Sequence, residues 1–129
     1  MTDFTGLSPK EFLESLWRGT DGLWPLEAAV RLLEQHGTWL ADPRLRTFVT
    51  GGRDEDGELW SGLDIQRMGD AMEAGELGDG EDSAVLRFTM SLYGNYTISL
   101  RYICDQVSEP NLILVGKAMR QAAGYSDTA

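Results

Sequence analysis

One cysteine and one histidine are all that this 129-residue chain offers to thiol, imidazole or soft-metal chemistry. The single thiol, Cys104, excludes an internal disulfide and fits a reducing compartment such as the cytoplasm. With His36 it falls short of the ligand set of a structural zinc site. Long hydrophobic runs are missing too: the longest aliphatic stretch, LILV from Leu112 to Val115, is far below the ~20 residues that cross a bilayer. The opening MTDFTGLSPKEF has no basic region followed by an apolar one, so no export signal is visible. P-loop, dinucleotide-fingerprint and nucleophile-elbow patterns are likewise absent.

What is present is acid, and it is unevenly placed. From Asp54 to Asp82 eleven carboxylates face a single base, Arg67, so this segment holds the whole formal excess of −10. The remainder of the chain balances at ten acids and ten bases. Such a field repels nucleic acid and anionic membranes and attracts basic surfaces.

Apolar residues make up 42% of the chain and are spread along it, enough for one core. We therefore expect a single domain over 1–129, with loose ends at 1–6 and 125–129. Helix punctuation recurs. Ser8, Pro9 and Glu11 form a capping box, Gly19 a stop, and Phe12, Leu13, Leu16 and Trp17 one stripe between them. Pro25 and Gly37 bracket a second helix, with Leu26, Ala29, Val30 and Leu33 on one face. Asp42 and Pro43 open a third that Gly51 closes, with Leu45, Phe48 and Val49 facing inward. Ser61 paired with Asp64 starts a fourth, ended by Gly75 and built on Ile65, Met68 and Met72. Ser108, Pro110 and Gly124 frame the last, with Leu112, Val115 and Met119 inward.

The stretch 83–104 reads two ways. Leu86, Phe88, Met90 and Leu92 alternate with polar residues, as do Tyr96, Ile98, Leu100 and Tyr102, which would suit a hairpin over about 85–103. A lone hairpin is marginal, however, and no other segment reads as a strand. The helical reading caps at Asp82 or Ser83, stops at Gly94 and resumes after Ser99. It agrees with its surroundings, so the expected fold is mainly α, a compact bundle of six or seven short helices, with an α+β form carrying that hairpin as the alternative.

The acid-rich GGRDEDGELW, Gly51 to Trp60, and GELGDGEDS, Gly75 to Ser83, invite a calcium reading. An EF-hand loop needs an oxygen ligand at its first position and a closing glutamate at its last. Centring the loop glycine on Gly57 puts Gly52 and Leu63 there, and centring it on Gly80 puts Gly75 and Leu86. Both fail. His36 falls in the last turn of its helix, where it complements the dipole, and Cys104 beside Ile103 reads as a small core residue rather than a nucleophile. The clustered carboxylates lack apolar neighbours that would raise a pKa for acid–base work.

The sequence thus points to a non-enzymatic, cytoplasmic interaction or regulatory protein, with no metal and no cofactor implied. Its candidate surface comprises Asp54, Glu55, Asp56, Glu58, Trp60, Asp70, Glu73, Glu76, Asp79, Glu81 and Asp82. The partner expected is a basic protein, whose nucleic-acid-binding surface it would cover, rather than nucleic acid or membrane. Trp60 is included because tryptophan is enriched in binding hot spots. The bland alternative is a set of solvated loops around one helix. The rival functions are a small carboxylate-dependent enzyme and a subunit that self-assembles through its Trp and Met residues. If the apolar stripes are core, Leu16→Ala and Val115→Ala should each cost roughly 2–4 kcal/mol in urea unfolding; losses below about half a kcal/mol would place those residues outside it.

Overall fold

Ser8 opens the first helix, α1 (Pro9–Gly19), by the reciprocal bonds its sequence implies. Its hydroxyl accepts the Glu11 N–H at 3.1 Å, and the Glu11 carboxylate accepts the Ser8 N–H at 2.9 Å. In this computed structural model, which describes residues 4–125, seven further helices follow: α2 (Trp24–His36), α3 (Thr38–Ala41), α4 (Pro43–Arg46), α5 (Ile65–Glu73), α6 (Glu81–Tyr93), α7 (Leu100–Gln106) and α8 (Glu109–Ala122). Between α4 and α5 the chain forms one antiparallel hairpin, β1 (Val49–Arg53) with β2 (Leu59–Leu63), in register from Val49 opposite Leu63 to Arg53 opposite Leu59. The fold is mainly α.

Helix α2 is the central element, packed by α1, α6 and α8. Val30 and Leu33 enter one apolar cluster with Phe12, Leu16, Trp39, Leu45, Met68 and Leu86. Leu32, on another side, joins a second with Val85, Phe88, Ile103 and Val115. Both stripes of α2 are therefore buried, as an apolar helix at the centre of a bundle requires.

Several boundaries differ from those the punctuation predicts. The 83–104 stretch is helical, and the hairpin lies earlier, at 49–63. The helix expected from Asp42 to Gly51 stops at Arg46, and Val49 begins β1 instead. Ser61 does not cap α5; it is buried in β2, and Asp64 alone is the cap, accepting the Arg67 N–H at 3.2 Å. The cap of α6 is Gly80, so Asp82 and Ser83 lie inside the helix. On α8, Val115 and Ala118 are buried, while Leu112 and Met119, expected inward, are exposed. Two of the eight helices are single turns of four residues, which accounts for the count above seven.

Residues 4–6, expected to be loose, are tied down as far as they bear on the core. Phe4 is buried, and Arg46 donates to the carbonyls of Phe4, Thr5, Leu7 and Leu40 while its guanidinium lies over the Phe12 ring. Of the other expected loose end, Tyr125 is exposed and donates its N–H to the Arg120 carbonyl at 2.9 Å, and 1–3 and 126–129 fall outside the described residues. Among the described residues no helix is long and apolar enough to cross a membrane.

A backbone contact holds the hairpin. Helix α1 lies on β2 so closely that a Cβ at Gly19 would sit 1.9 Å from the Ser61 carbonyl oxygen. Gly116 in α8 is the opposite case, with nothing within 4 Å of an added Cβ. One substitution should therefore act with opposite signs at the two sites. Gly19→Ala should cost about 1–3 kcal/mol by forcing α1 off β2, and Gly116→Ala should gain roughly 0.5–1 kcal/mol of helix propensity. Urea midpoints that move the same way in both variants would refute the close α1–β2 approach.

Candidate functional site

The acidic stretch that opens the charged segment is a hairpin turn. The Asp54 carbonyl accepts the Gly57 N–H at 3.0 Å, and the Asp54 N–H donates to the Glu58 carbonyl at 2.9 Å. Gly57 follows at φ 80°, the left-handed conformation that glycine adopts without strain. One side-chain oxygen of Asp54 also accepts the N–H groups of Asp56 and Glu58, both at 2.9 Å, an Asx-type brace across the turn. Asp54 is thus a turn former first. Glu58 is tethered as well: its carboxylate stands 3.3 Å from the Arg18 guanidinium, whose other arm donates to the Leu59 carbonyl. Glu55 and Asp56 are exposed at the tip and make no side-chain bond among the described residues.

From the hairpin the chain passes directly into α5, whose outer side carries Asp70 and Glu73. These two carboxylates, one turn apart on the same face, line a cleft of about 510 Å³ between α5 and the loop before α7, together with Ile65, Gln66, Gly69, Asn95 and Tyr96. Gly69 lets the Tyr96 ring lie against the α5 backbone; a Cβ there would meet ring carbons at 3.4 Å. Glu73 is 75% exposed and holds its neighbours at long range, with the Tyr96 hydroxyl at 3.5 Å and the Arg87 guanidinium at 3.9 Å. Arg87 donates to the Tyr96 hydroxyl at 2.8 Å and lies over the Tyr102 ring. Burial pushes the Tyr96 phenol above its ordinary value, with the Arg87 charge opposing. Asp70 has no partner among the described residues.

The last two acids bond to neighbouring elements of the fold. One oxygen of Glu81 accepts the Ser108 hydroxyl at 2.5 Å, the Ser108 N–H at 2.6 Å and an Asn111 amide N–H at 2.6 Å. Ser108, expected to cap α8 with its own hydroxyl, gives that hydroxyl to Glu81 instead. Asp82 stands 3.0 Å from His36 Nε2 at the end of α2, and its carbonyl accepts the Trp39 indole N–H at 2.8 Å. Glu81 and Asp82 therefore join the start of α6 to α8 and α2. Glu76 and Asp79, in the loop between α5 and α6, are exposed and unpaired among the described residues.

Of the tryptophans, Trp39 is buried, whereas Trp24 and Trp60 are exposed. The Trp60 indole lies over Gly52, its cross-strand partner, and remains 41% exposed on the hairpin. Cys104, read from the sequence as a core residue, is exposed, and His36 pairs with Asp82 rather than with it. Among the described residues no group of three or more His, Cys, Asp or Glu is placed to hold a metal ion. The eleven named candidates thus divide. The hairpin tip, the α5 face and the 76–79 loop lie in the open, while Glu81 and Asp82 serve the fold. The cleft residues Tyr96 and Asn95 were not among the candidates, because nothing in their own stretch shows that the loop folds back on α5. The chain matches no protein-family model, no curated protein and no solved structure.

Hydrogen bonds from the Ser108 hydroxyl, then from its N–H and from Asn111, hold the Glu81 carboxyl below its ordinary value of 4.5. The folded chain gives up that proton more readily than the unfolded one. Its contribution is therefore complete above about pH 4.5 and drains away as pH falls through the lowered folded value. Glu81→Gln should accordingly unfold at lower urea than the parent at neutral pH, and the gap should close in acid. An unchanging gap between about pH 7 and about pH 3 would mean that the charge on Glu81 does not matter.

Proposed function

We propose that the chain is a small binding protein that offers the outward part of its acidic segment to a basic protein partner. The observation that carries this reading is the division of the acids. Glu55, Asp56, Asp70, Glu76 and Asp79 take no fold-building bond among the described residues, although the chain's entire charge excess lies in their segment. A stretch of surface so charged attracts cationic proteins and repels nucleic acid and anionic lipid. A basic groove that ordinarily holds nucleic acid has the matching chemistry, and covering it would make the protein a regulator. The exposed, unpaired Cys104 fits a reducing compartment such as the cytoplasm.

Catalysis by carboxylates is the weaker reading. Hydrogen bonds hold the carboxyls of Glu11, Asp42 and Glu81 below their ordinary values, away from what a general acid needs. Self-assembly has one observation in its favour: Leu112, Ile113 and Met119 leave an exposed apolar stripe on α8. It would show as a mass above the monomer at low concentration, insensitive to changes in the acidic segment.

The test replaces Glu55, Asp56, Glu76 and Asp79 with Gln or Asn and compares parent and variant as baits in an extract of the source cells. Folding should stay within about half a kcal/mol of the parent. The parent should retain a protein of strongly basic composition that salt releases, and the variant should bind it with an on-rate lowered by roughly tenfold. Retention of the same partner by both baits, at low and high salt alike, would reduce these acids to solvated loops.

A further inference from the structure

We propose that the cleft between α5 and the loop before α7 is a receptor for one arginine side chain of a basic partner. This rests on the binding function proposed above and specifies where the partner inserts. The cleft differs from the hairpin tip and the 76–79 loop because its two acids share a concavity with apolar side chains. Ile65 and the Tyr96 ring, which lies against half-buried Gly69, supply an apolar wall, and Asp70 and Glu73 stand on the same side of α5 at its edge. At about 510 Å³ it falls within the roughly 300–1,000 Å³ of small-ligand sites.

The chemistry of the lining selects the ligand. A divalent cation would want several more oxygens than two carboxylates supply, and no metal-sized cluster exists among the described residues. An ammonium group is a compact, strongly hydrated charge that draws little from an aromatic wall. A guanidinium is planar and weakly hydrated; it stacks on aromatic faces and forks onto a carboxylate with two parallel bonds. The fold already sets one guanidinium beside Tyr96, where Arg87 bonds the phenol, lies over Tyr102 and stands 3.9 Å from Glu73. Against that one resident cation stand two carboxylates, so one negative charge at the mouth is uncompensated. Glu73 has room for a closer partner, since its present contacts are 3.5 and 3.9 Å long and its side chain is mostly in solvent. Asp70 is wholly available.

The experiment follows amide chemical shifts of the full chain while adding acetyl-glycyl-arginyl-glycine amide. Parallel titrations use the same tripeptide with citrulline, the uncharged isostere, and with lysine. The arginine peptide should give saturable shifts centred on Gly69, Asp70, Glu73 and Tyr96, with a dissociation constant on the order of 1 mM. D70N and E73Q, both at exposed positions, should each weaken it about tenfold with unchanged melting temperature. The lysine peptide should bind more weakly, and the citrulline peptide should give no saturation. Shifts centred on the hairpin tip, equal response to citrulline, or no saturation at all would overturn the cleft assignment. In those cases the salt-sensitive capture by Glu55, Asp56, Glu76 and Asp79 still stands or falls by its own test, so the two proposals fail separately.

Discussion

A helix backbone pressed onto a strand backbone is the contact on which the rest of this molecule depends. A two-stranded hairpin is marginal by itself in water, and β1 with β2 has no third strand to support it. Helix α1 takes that place. Its last residue, Gly19, lets the helix meet the Ser61 carbonyl at a distance no side chain would allow. One turn earlier, the buried Ser15 and Ser61 hydroxyls share a 2.7 Å hydrogen bond, and Ser15 also donates to the Phe12 carbonyl, so neither is left unsatisfied in the interior. Phe4, held by the cage of carbonyls around Arg46, closes the seam over Gly51. The acidic turn therefore projects from a braced support.

The same segment serves the fold and the surface, and the two roles alternate along it: Asp54 and Glu58 brace the hairpin, Asp64 caps α5, and Glu81 and Asp82 anchor α6. Acids at the first turn of a helix are favoured by its dipole, and Glu81 and Asp82 occupy that position in α6. Each then reaches a neighbouring element, Glu81 to the start of α8 and Asp82 to the end of α2. Much of the negative charge near residue 80 is thus structural, and counting it as recognition surface overstates what a partner would meet. Upstream, the turn and α5 leave their outer carboxylates to solvent.

Helices with complete punctuation were legible in the sequence, and the elements that depend on a neighbour were not. Ser8, Pro9 and Glu11 carry enough local energy to define the start of α1, whereas Gly19, expected to stop it, is its last helical residue and Thr20 is the cap. The strand VTGGR has no alternation and two glycines, so intrinsic preference argues against it; at Gly51 the β2 backbone and the Phe4 ring come too close for a side chain. Its one local signal was the turn: DEDG, with an Asx brace and a left-handed glycine, is hairpin chemistry hidden by its charge. Met119 and Leu112 were misplaced for a related reason. Period alone marks an apolar stripe on α8, whereas α2 buries the side carrying Val115 and Ala118. Among the candidate site residues, the i,i+3 pair Asp70 and Glu73 was visible, but the tyrosine that turns this pair into a cleft comes from more than twenty residues downstream.

In the proposed reading, the two outward groups of acids would act at different stages of binding. Charges at the hairpin tip and in the 76–79 loop are in water, where screening limits their reach to ~8–10 Å at physiological salt and where their main effect is on encounter. Asp70 and Glu73 are also at the surface, but beside Ile65 and the Tyr96 ring they face a volume from which an inserted side chain displaces water. Lower local dielectric strengthens a charge-assisted bond and raises the cost of leaving it unmade, so these two acids would govern dissociation and discrimination. A surface composed only of solvated acids would bind any polycation. A surface that pairs such acids with one stereochemically demanding cleft can prefer a partner whose arginine stands at the right distance from its other basic residues.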